Sequence, residues 1–139
     1  MRIIDSATFK ESTTVAAAIM TVHPGGLREL HWHPNADEWQ YFMAGKGRMT
    51  VFATAGRART LDFETGDRGY VQKTLPHYIE NTGNTDLKFL EMFTASHFQD
   101  LSVSEWLTHT PPELVMAHLH IDRATLNAMP KEALAVVPG

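Results

Sequence analysis

The sequence predicts an all-β domain, a sandwich or barrel built from short strands, with a short helical annex at its C-terminal end. Short apolar or alternating runs recur from about residue 15 to residue 94, and each stops at a cluster of turn residues. Runs this short and this regularly spaced are typical of all-β sandwiches and barrels. After about residue 96 the pattern changes to short segments that follow helix-capping residues.

The predicted strands are separated by turns rich in glycine, proline, asparagine and aspartate. In chain order the strand segments are VAAAIMTV, LRELHWH, EWQYFMA, RMTVFAT, RARTLDF, HYIEN and LKFLEMFT. The turn HPGG, residues 23–26, ends the first segment, and GKG, residues 45–47, ends the third. No repeat or low-complexity segment interrupts the series. We therefore expect one domain over residues 1–139, with its barrel at about residues 13–95.

Three short helices are predicted beyond the barrel, at about residues 102–130. Ser102 precedes VSEWLTH, and its hydroxyl is suited to cap that helix. The sequence TPPE, residues 110–113, is a good start for ELVMAHLHI because proline is favoured in the first helical turn. Asp122 precedes RATLNAM, which Pro130 ends. An annex of this size cannot bury a core of its own, so its apolar side chains must pack on the barrel or on a partner.

The composition excludes several classes of function. The formal charge of −4 and the absence of a Lys/Arg cluster argue against nucleic acid as a partner. The chain has no cysteine, which excludes disulfides, zinc–thiolate sites and thiol nucleophiles. No apolar run approaches membrane-spanning length and the first residues lack a signal-peptide core, so we expect a cytoplasmic protein that does not bind membranes.

A group of metal-ligand side chains lies near the second predicted strand. His31 and His33 are two residues apart, so in a strand their side chains lie on the same face. The turn PNAD brings Glu38 back beside them, and His77, at the start of a later strand, is the best candidate for a fourth ligand. Imidazole and carboxylate ligands together suit Mn, Fe, Co, Ni or Zn. Each residue taken alone is more simply a surface or packed side chain.

The spacing of these residues and of the surrounding glycines resembles the two sequence motifs of the cupin superfamily. The first motif comprises Gly25, His31, His33, Glu38 and Gly45, and the second comprises Gly66, His77 and Asn81. Gln72 and Thr74 stand where that family usually has proline and glycine, so the turn before His77 is expected to differ. The resemblance implies the cupin fold, a double-stranded β-helix or jelly-roll barrel, with a metal site.

Within the superfamily, the chain resembles the C-terminal cupin domain of bacterial oxalate decarboxylases, which are two-cupin manganese enzymes. The likeness runs from about Ile3 to the second predicted helix. It implies Mn²⁺ held by four residues, with Fe²⁺, Co²⁺, Ni²⁺ and Zn²⁺ as alternatives, and conversion of oxalate to formate and carbon dioxide with dioxygen as co-catalyst. The implied metal ligands are His31, His33, Glu38 and His77.

Two further residues are candidates for catalysis. The resemblance implies that Arg28 pairs with the substrate carboxylate, although strict alternation puts Arg28 on the face opposite His31, so this role requires a bulge or a strong twist. Otherwise Arg28 is an exposed charge at a strand edge. Glu91 shares a strand face with Phe89 and Phe93, which favours a desolvated carboxyl group with a raised pKa, suited to proton transfer. The alternatives are that Glu91 turns to solvent or hydrogen-bonds a ligand histidine.

The segment TASHFQD, residues 94–100, leaves the reaction open. In two-cupin oxalate decarboxylases a flexible loop of the N-terminal half supplies a proton-donating glutamate, and the matching segment here contains none. His97 and Asp100 are the residues of this segment that could carry a proton. The alternatives are therefore an oxalate oxidase, another small-molecule metallo-cupin enzyme, or a non-catalytic metal-binding cupin.

Self-association is the last expectation. Two predicted helices carry apolar faces, formed by Val103, Trp106, Leu107, Leu114, Val115 and Leu119. Trp39, Tyr41 and Met43 lie on the strand face opposite Glu38. A partner barrel is the most economical cover for this surface, so we expect a two-fold homodimer or a higher homo-oligomer.

Overall fold

A computed structural model describes all residues from 1 to 139, and it contains eleven short strands and three short helices. The strands are β1 (Arg2–Ile4), β2 (Ala16–Val22), β3 (Leu27–Trp32), β4 (Glu38–Ala44), β5 (Lys46–Phe52), β6 (Ala58–Glu64), β7 (Arg68–Val71), β8 (His77–Asn81), β9 (Leu87–Phe93), β10 (Leu101–Ser102) and β11 (Val136–Val137). The helices are α1 (Val103–His109), α2 (Pro112–Leu119) and α3 (Arg123–Asn127).

The strands form two antiparallel sheets. The first has the order β1-β2-β9-β4-β7, and the second has the order β10-β3-β8-β5-β6, with β11 also paired to β3. Most neighbours in a sheet are far apart in sequence, and only the β1–β2 and β5–β6 pairs join consecutive strands. This arrangement confirms the predicted all-β jelly-roll barrel with a small helical C-terminal part.

The core lies between the two sheets and follows from the alternation of side chains along each strand. In β2 and β4 every second residue is buried, and these residues face the opposite sheet. The main buried cluster comprises Ala18, Met20, Val22, Phe42, Met49, Phe63, Val71, Ile79, Leu87 and Phe89. The rings of Phe42 and Phe63, one from each sheet, stack with centroids 4.4 Å apart.

Four of the eleven strands were not predicted from the sequence. β1, β7, β10 and β11 have between two and four residues each, which is too short for a reliable alternation pattern. β11 forms because residues near the C-terminus pair with β3, with Val136 opposite Arg28. Three of these strands lie outside residues 13–95, so the sheets draw on both ends of the chain.

The helices agree with the prediction at their starts and are shorter at two of their ends. The Ser102 hydroxyl accepts a hydrogen bond from the Glu105 amide at the start of α1, and the Asp122 carboxylate accepts one from the Thr125 amide at the start of α3. α2 ends earlier than predicted because His120 adopts a left-handed conformation, with φ of 54°. None of the three helices is long and apolar enough to cross a membrane.

Candidate metal centre

A bulge in β3 brings two functional side chains to the same interior. Arg28 lies opposite Ile79 of β8, whereas His31 lies opposite His77, and the register shifts between these pairs. One extra residue in a strand reverses the alternation beyond it, so side chains three apart point the same way. Arg28 and His31 are both fully buried. The bulge that the predicted role of Arg28 requires is therefore present.

The four predicted ligand side chains lie together between the sheets. His31 and His33 come from β3 and the residue after it, His77 begins β8, and Glu38 begins β4 of the opposite sheet. One potential ligand atom from each residue lies within 4.8 Å of the others. His77 Nε2 is 2.9 Å from Glu38 Oε2, and His31 Nε2 is 3.2 Å from His33 Nε2. All four side chains are buried.

The hydrogen bonds around the imidazoles show that this set of atoms suits a cation. The Nδ1 atoms of His31, His33 and His77 each donate to a backbone carbonyl, at 2.6, 2.7 and 3.1 Å respectively. These bonds assign the ring proton to Nδ1, so each Nε2 presents a lone pair to the centre. Neither Glu38 Oε2 nor His77 Nε2 has a hydrogen-bond partner. Four converging ligand atoms that can each offer an electron pair are stabilised by a positive ion.

The charges of the site act on the pKa values of its members. Burial opposes ionisation of Glu38, but the nearby imidazoles of His77 and His33 hold the pKa of that carboxyl group well below its usual value. Burial, followed by the charge of Arg28, lowers the pKa of His31 well below the usual value for histidine. Glu38 is therefore an anion and His31 a neutral imidazole at neutral pH, which are the forms that bind metal.

One contributor to the site was missed in the sequence. Gln40 Nε2 donates to Glu38 Oε1 at 2.7 Å and fixes the carboxylate from the side away from the imidazoles. The alternation of side chains along the strand could have indicated this contact, because Gln40 lies two residues after Glu38 and therefore shares its buried face.

Glu91 lies beside Arg28 and is fully buried. Its Oε1 is 3.7 Å from Arg28 Nε, and neither of its carboxyl oxygens has a hydrogen-bond partner. Burial and the negative charge of Glu38 raise the pKa of Glu91 to about 8, although Arg28 acts in the opposite direction. Glu91 is thus a neutral acid at pH 7 that holds a proton inside the barrel.

The segment 94–100 covers one side of the centre. The Gln99 carbonyl accepts the hydrogen bond from His33 Nδ1, and the Phe98 ring packs against the His33 ring with centroids 5.5 Å apart. The His97 side chain hydrogen-bonds Ser6 at the surface and is 58% exposed, so it points away from the site. The Asp100 carboxylate instead accepts a hydrogen bond from Arg28.

The turn before His77 carries a threonine in a backbone conformation that glycine favours. Thr74 has a positive φ of 69°, the left-handed region that favours glycine. Its amide donates to the His33 carbonyl at 2.8 Å, which ties the turn to the strand that carries two of the ligands. The Thr74 backbone thus adopts the conformation for which glycine is usual.

The fold and the four-residue site together define a cupin. The family model described as Cupin matches residues 1–127, and the chain belongs to that family.

Several relatives of this chain are oxalate decarboxylases. The chain is 49% identical over 135 residues to oxalate decarboxylase OxdC of Bacillus subtilis, covering 97% of this chain and 35% of that protein. It is 41% identical to a probable oxalate decarboxylase of Arthroderma benhamiae, over 99% of this chain and 34% of that protein. A solved structure of the Bacillus subtilis enzyme, described for its Mn(II) centres, matches with a TM-score of 0.96 and 48% identity, covering 99% of this chain and 36% of that one. The chain thus spans about a third of the length of these relatives.

Proposed function

We propose that this cupin is an Mn²⁺-dependent, oxalate decarboxylase-like enzyme that converts oxalate to formate and carbon dioxide. The observation that carries the proposal is the buried set of His31, His33, Glu38 and His77, whose ligand atoms lie within 4.8 Å of one another. Nearly half of the aligned residues are identical to those of an oxalate decarboxylase, which supports the choice of reaction. Fe²⁺, Co²⁺, Ni²⁺ and Zn²⁺ are the alternative ions for the same ligands.

The residues of the chain divide the work of this reaction. The three imidazoles and the carboxylate would hold the ion. Bound Mn²⁺, with dioxygen as co-catalyst, would supply a one-electron oxidation of oxalate that weakens its C–C bond. The guanidinium of Arg28 offers positive charge to a substrate carboxylate beside the centre. The segment 94–100 and the Phe98 ring exclude water from the side of His33.

Glu91 supplies the proton that the products require. Oxalate dianion and one proton together give formate and carbon dioxide, so one proton must reach the carbon atom from which carbon dioxide departs. In the metal-free protein the pKa of Glu91 is raised to about 8, so this group can hold a proton at pH 7, and its carboxyl group is buried beside Arg28. It can therefore release a proton inside the barrel and regain one from solvent after turnover.

Metal analysis combined with product assays tests the proposal. The purified protein, reconstituted with Mn²⁺ and supplied with oxalate and dioxygen, is expected to release formate between pH 4 and pH 8. The matched control is His31→Ala treated in the same way, which is expected to retain little Mn²⁺ and to release no formate above background. Stoichiometric Mn²⁺ without turnover of oxalate would refute the proposed reaction.

The segment 94–100 favours a second candidate function. It contains no glutamate, its His97 side chain points to the surface, and its Asp100 side chain is engaged with Arg28. An oxalate oxidase, or a metal-binding cupin without catalysis, would not need a proton donor in this segment. Hydrogen peroxide produced in place of formate identifies the oxidase, and bound metal with neither product identifies the non-catalytic cupin.

The proposed assembly is a homodimer or a higher homo-oligomer. Trp39, Tyr41 and Met43 project from the outer face of β4, and each is between 44% and 51% exposed. The helices add exposed Trp106 and Leu114. An apolar surface of this kind is suited to pack against a second copy of the barrel. A cytoplasmic location stays a prediction.

A further inference from the structure

The guanidinium of Arg28 has an uneven set of partners. Its Nη2 donates to Asp100 Oδ2 at 2.7 Å, and its Nη1 donates to the Ala135 carbonyl at 3.2 Å. The nearest oxygens of Glu29 and Glu91 lie 3.7 Å from the guanidinium, beyond hydrogen-bond distance. Asp100 therefore accepts the one hydrogen bond that Arg28 donates to a side chain.

Asp100 is also the most exposed carboxyl partner of the buried Arg28. The Arg28 side chain has no exposed surface, and among the three neighbouring carboxyl groups Asp100 is the most exposed, at 18% of its side chain. Asp100 directly precedes β10, whose Ser102 pairs with His31 of β3. Asp100 is thus the carboxyl partner of Arg28 with the most contact with solvent.

The backbone around Asp100 is fastened in place. The Gln99 carbonyl accepts a hydrogen bond from His33 at 2.7 Å, and the Phe98 amide donates one to Asp5 at 3.2 Å. These contacts hold the segment against the barrel from both the strand side and the N-terminal side. The Asp100 carboxylate therefore reaches Arg28 at little entropic cost, because its backbone is already ordered.

We propose that Asp100 occupies the carboxylate-binding position of Arg28 and competes for it with a dicarboxylate substrate. The inference rests on the proposed function for the identity of the substrate, oxalate. The Asp100 carboxylate has the charge and planar shape of one end of oxalate, and only one of the two can accept the short, charge-assisted bond from Nη2. Asp100 thus lowers the affinity of the site for oxalate, and anions that bind Arg28 less well than a tethered carboxylate are excluded.

The test is the affinity for oxalate of the Mn²⁺-loaded protein, measured by calorimetry for the wild type and for Asp100→Asn. Asparagine keeps the size of the side chain and removes its charge, so oxalate is expected to bind at least roughly tenfold more tightly. Asp100→Glu, which keeps the charge, is the matched control and is expected to show no tightening. Asp62→Asn, which removes a carboxylate paired with Arg48 at the surface, controls for the change in net charge.

The direction of the change separates competition from a purely structural role. Loss of a structural ion pair would loosen the segment and weaken binding, whereas loss of a competitor strengthens it. Unchanged or weaker binding in Asp100→Asn, including no measurable binding in either protein, overturns the inference. Because Asp100→Asn leaves the buried Arg28 without its hydrogen-bonded anion, a second variant is measured alongside it under the same criteria. This variant is Asp100→Ser, which has a hydroxyl in place of the carboxylate. Tighter binding without release of formate keeps the inference and refutes the proposed decarboxylation.

Discussion

In each side chain of the candidate metal centre, the polar atom that does not face the centre is held by a hydrogen bond to the protein. Each of the three histidines of the metal centre donates a hydrogen bond from Nδ1 to a backbone carbonyl, and the Glu38 carboxylate accepts a hydrogen bond from Gln40. Such bonds set the tautomer and orientation of a ligand before the ion arrives. The site is therefore preorganised for a cation.

Removal of single ligands tests this arrangement. His31→Ala, His33→Ala and His77→Ala are each expected to lower the affinity for Mn²⁺ by well over tenfold, since loss of even an outer hydrogen-bond partner commonly costs roughly 10- to 100-fold. Metal content after dialysis against a chelator, measured by elemental analysis, checks the expectation. The exposed His109→Ala and His118→Ala are the controls, and equal metal content in all five variants would show that the assignment is wrong.

Glu91 gives the metal-free protein a distinct dependence on pH. Its pKa is about 8 in the folded state, against an ordinary value of 4.5, so between these pH values the folded state holds a proton that the unfolded state has released. The stability contributed by the neutral carboxyl group is present at low pH and is lost as the pH rises through this window. Glu91→Gln cannot ionise and keeps that stability.

The free energy of unfolding of Glu91→Gln, relative to the metal-free wild type, is therefore expected to rise from pH 5 to pH 8. The slope is at most about 1.4 kcal/mol per pH unit, the value for one proton. Denaturant titrations at several pH values measure it, with Glu113→Gln on the exposed face of α2 as the control. A difference that does not change with pH would contradict the assigned protonation of Glu91.

At the scale of the elements, the connection from β4 to β5 depends on close backbone packing around a glycine. Gly45 has a positive φ of 83°, and a Cβ atom there would lie 2.6 Å from the Asp86 carbonyl oxygen. Gly56, in the turn between β5 and β6, also has a positive φ, of 68°, but a Cβ atom there would have no neighbour within 4 Å. The two glycines thus share a conformation and differ in the space around them.

Alanine substitutions separate these two requirements. Gly56→Ala is expected to lower the free energy of unfolding by about 1 kcal/mol, because alanine is strained in the left-handed conformation. Gly45→Ala adds a steric clash with the backbone and is expected to lower it by at least roughly 2 kcal/mol more. Denaturant unfolding of both variants measures the difference. Equal losses of stability would show that the approach of β9 to Gly45 is not a close one.

At the scale of the whole molecule, the outer face of the first sheet carries a larger number of exposed aromatic side chains than any other surface. Trp39 and Tyr70 lie side by side on β4 and β7 with ring centroids 5.0 Å apart, and Tyr41 and Met43 continue the patch. The inner face of the same sheet is filled by the core and needs no partner. A second copy of the chain would remove this outer patch from water.

Light scattering at micromolar concentration tests this assembly. The wild type is expected to have at least twice the chain mass of 15.6 kDa, and Tyr41→Asp is expected to reduce it to the mass of one chain, because a charge would be buried in the interface. Phe52→Asp places the same charge on a comparably exposed residue of the second sheet and is expected to leave the mass unchanged. A wild-type mass near 15.6 kDa would show that the helices and sheet face remain uncovered.

The sequence by itself determined the main strands and the composition of the candidate metal site. Strand and turn signals are local, and alternation with period two assigned the faces of β4 and β9 correctly. His31 and His33 share a strand face by alternation, and Glu38 and His77 follow the spacing of the cupin motifs that the sequence resembles. Caps at Ser102 and Asp122 placed two helix starts for the same local reason.

The tertiary structure alone decided which charges meet inside the barrel. Alternation places Arg28 opposite His31, and only the bulge in β3 turns both inward. The pairing of Arg28 with Asp100, and of β3 with β11, joins residues 72 and about 108 positions apart. Contacts of that separation leave no local periodicity, because they are selected by the packing of two sheets and by the cost of burying an unpaired charge.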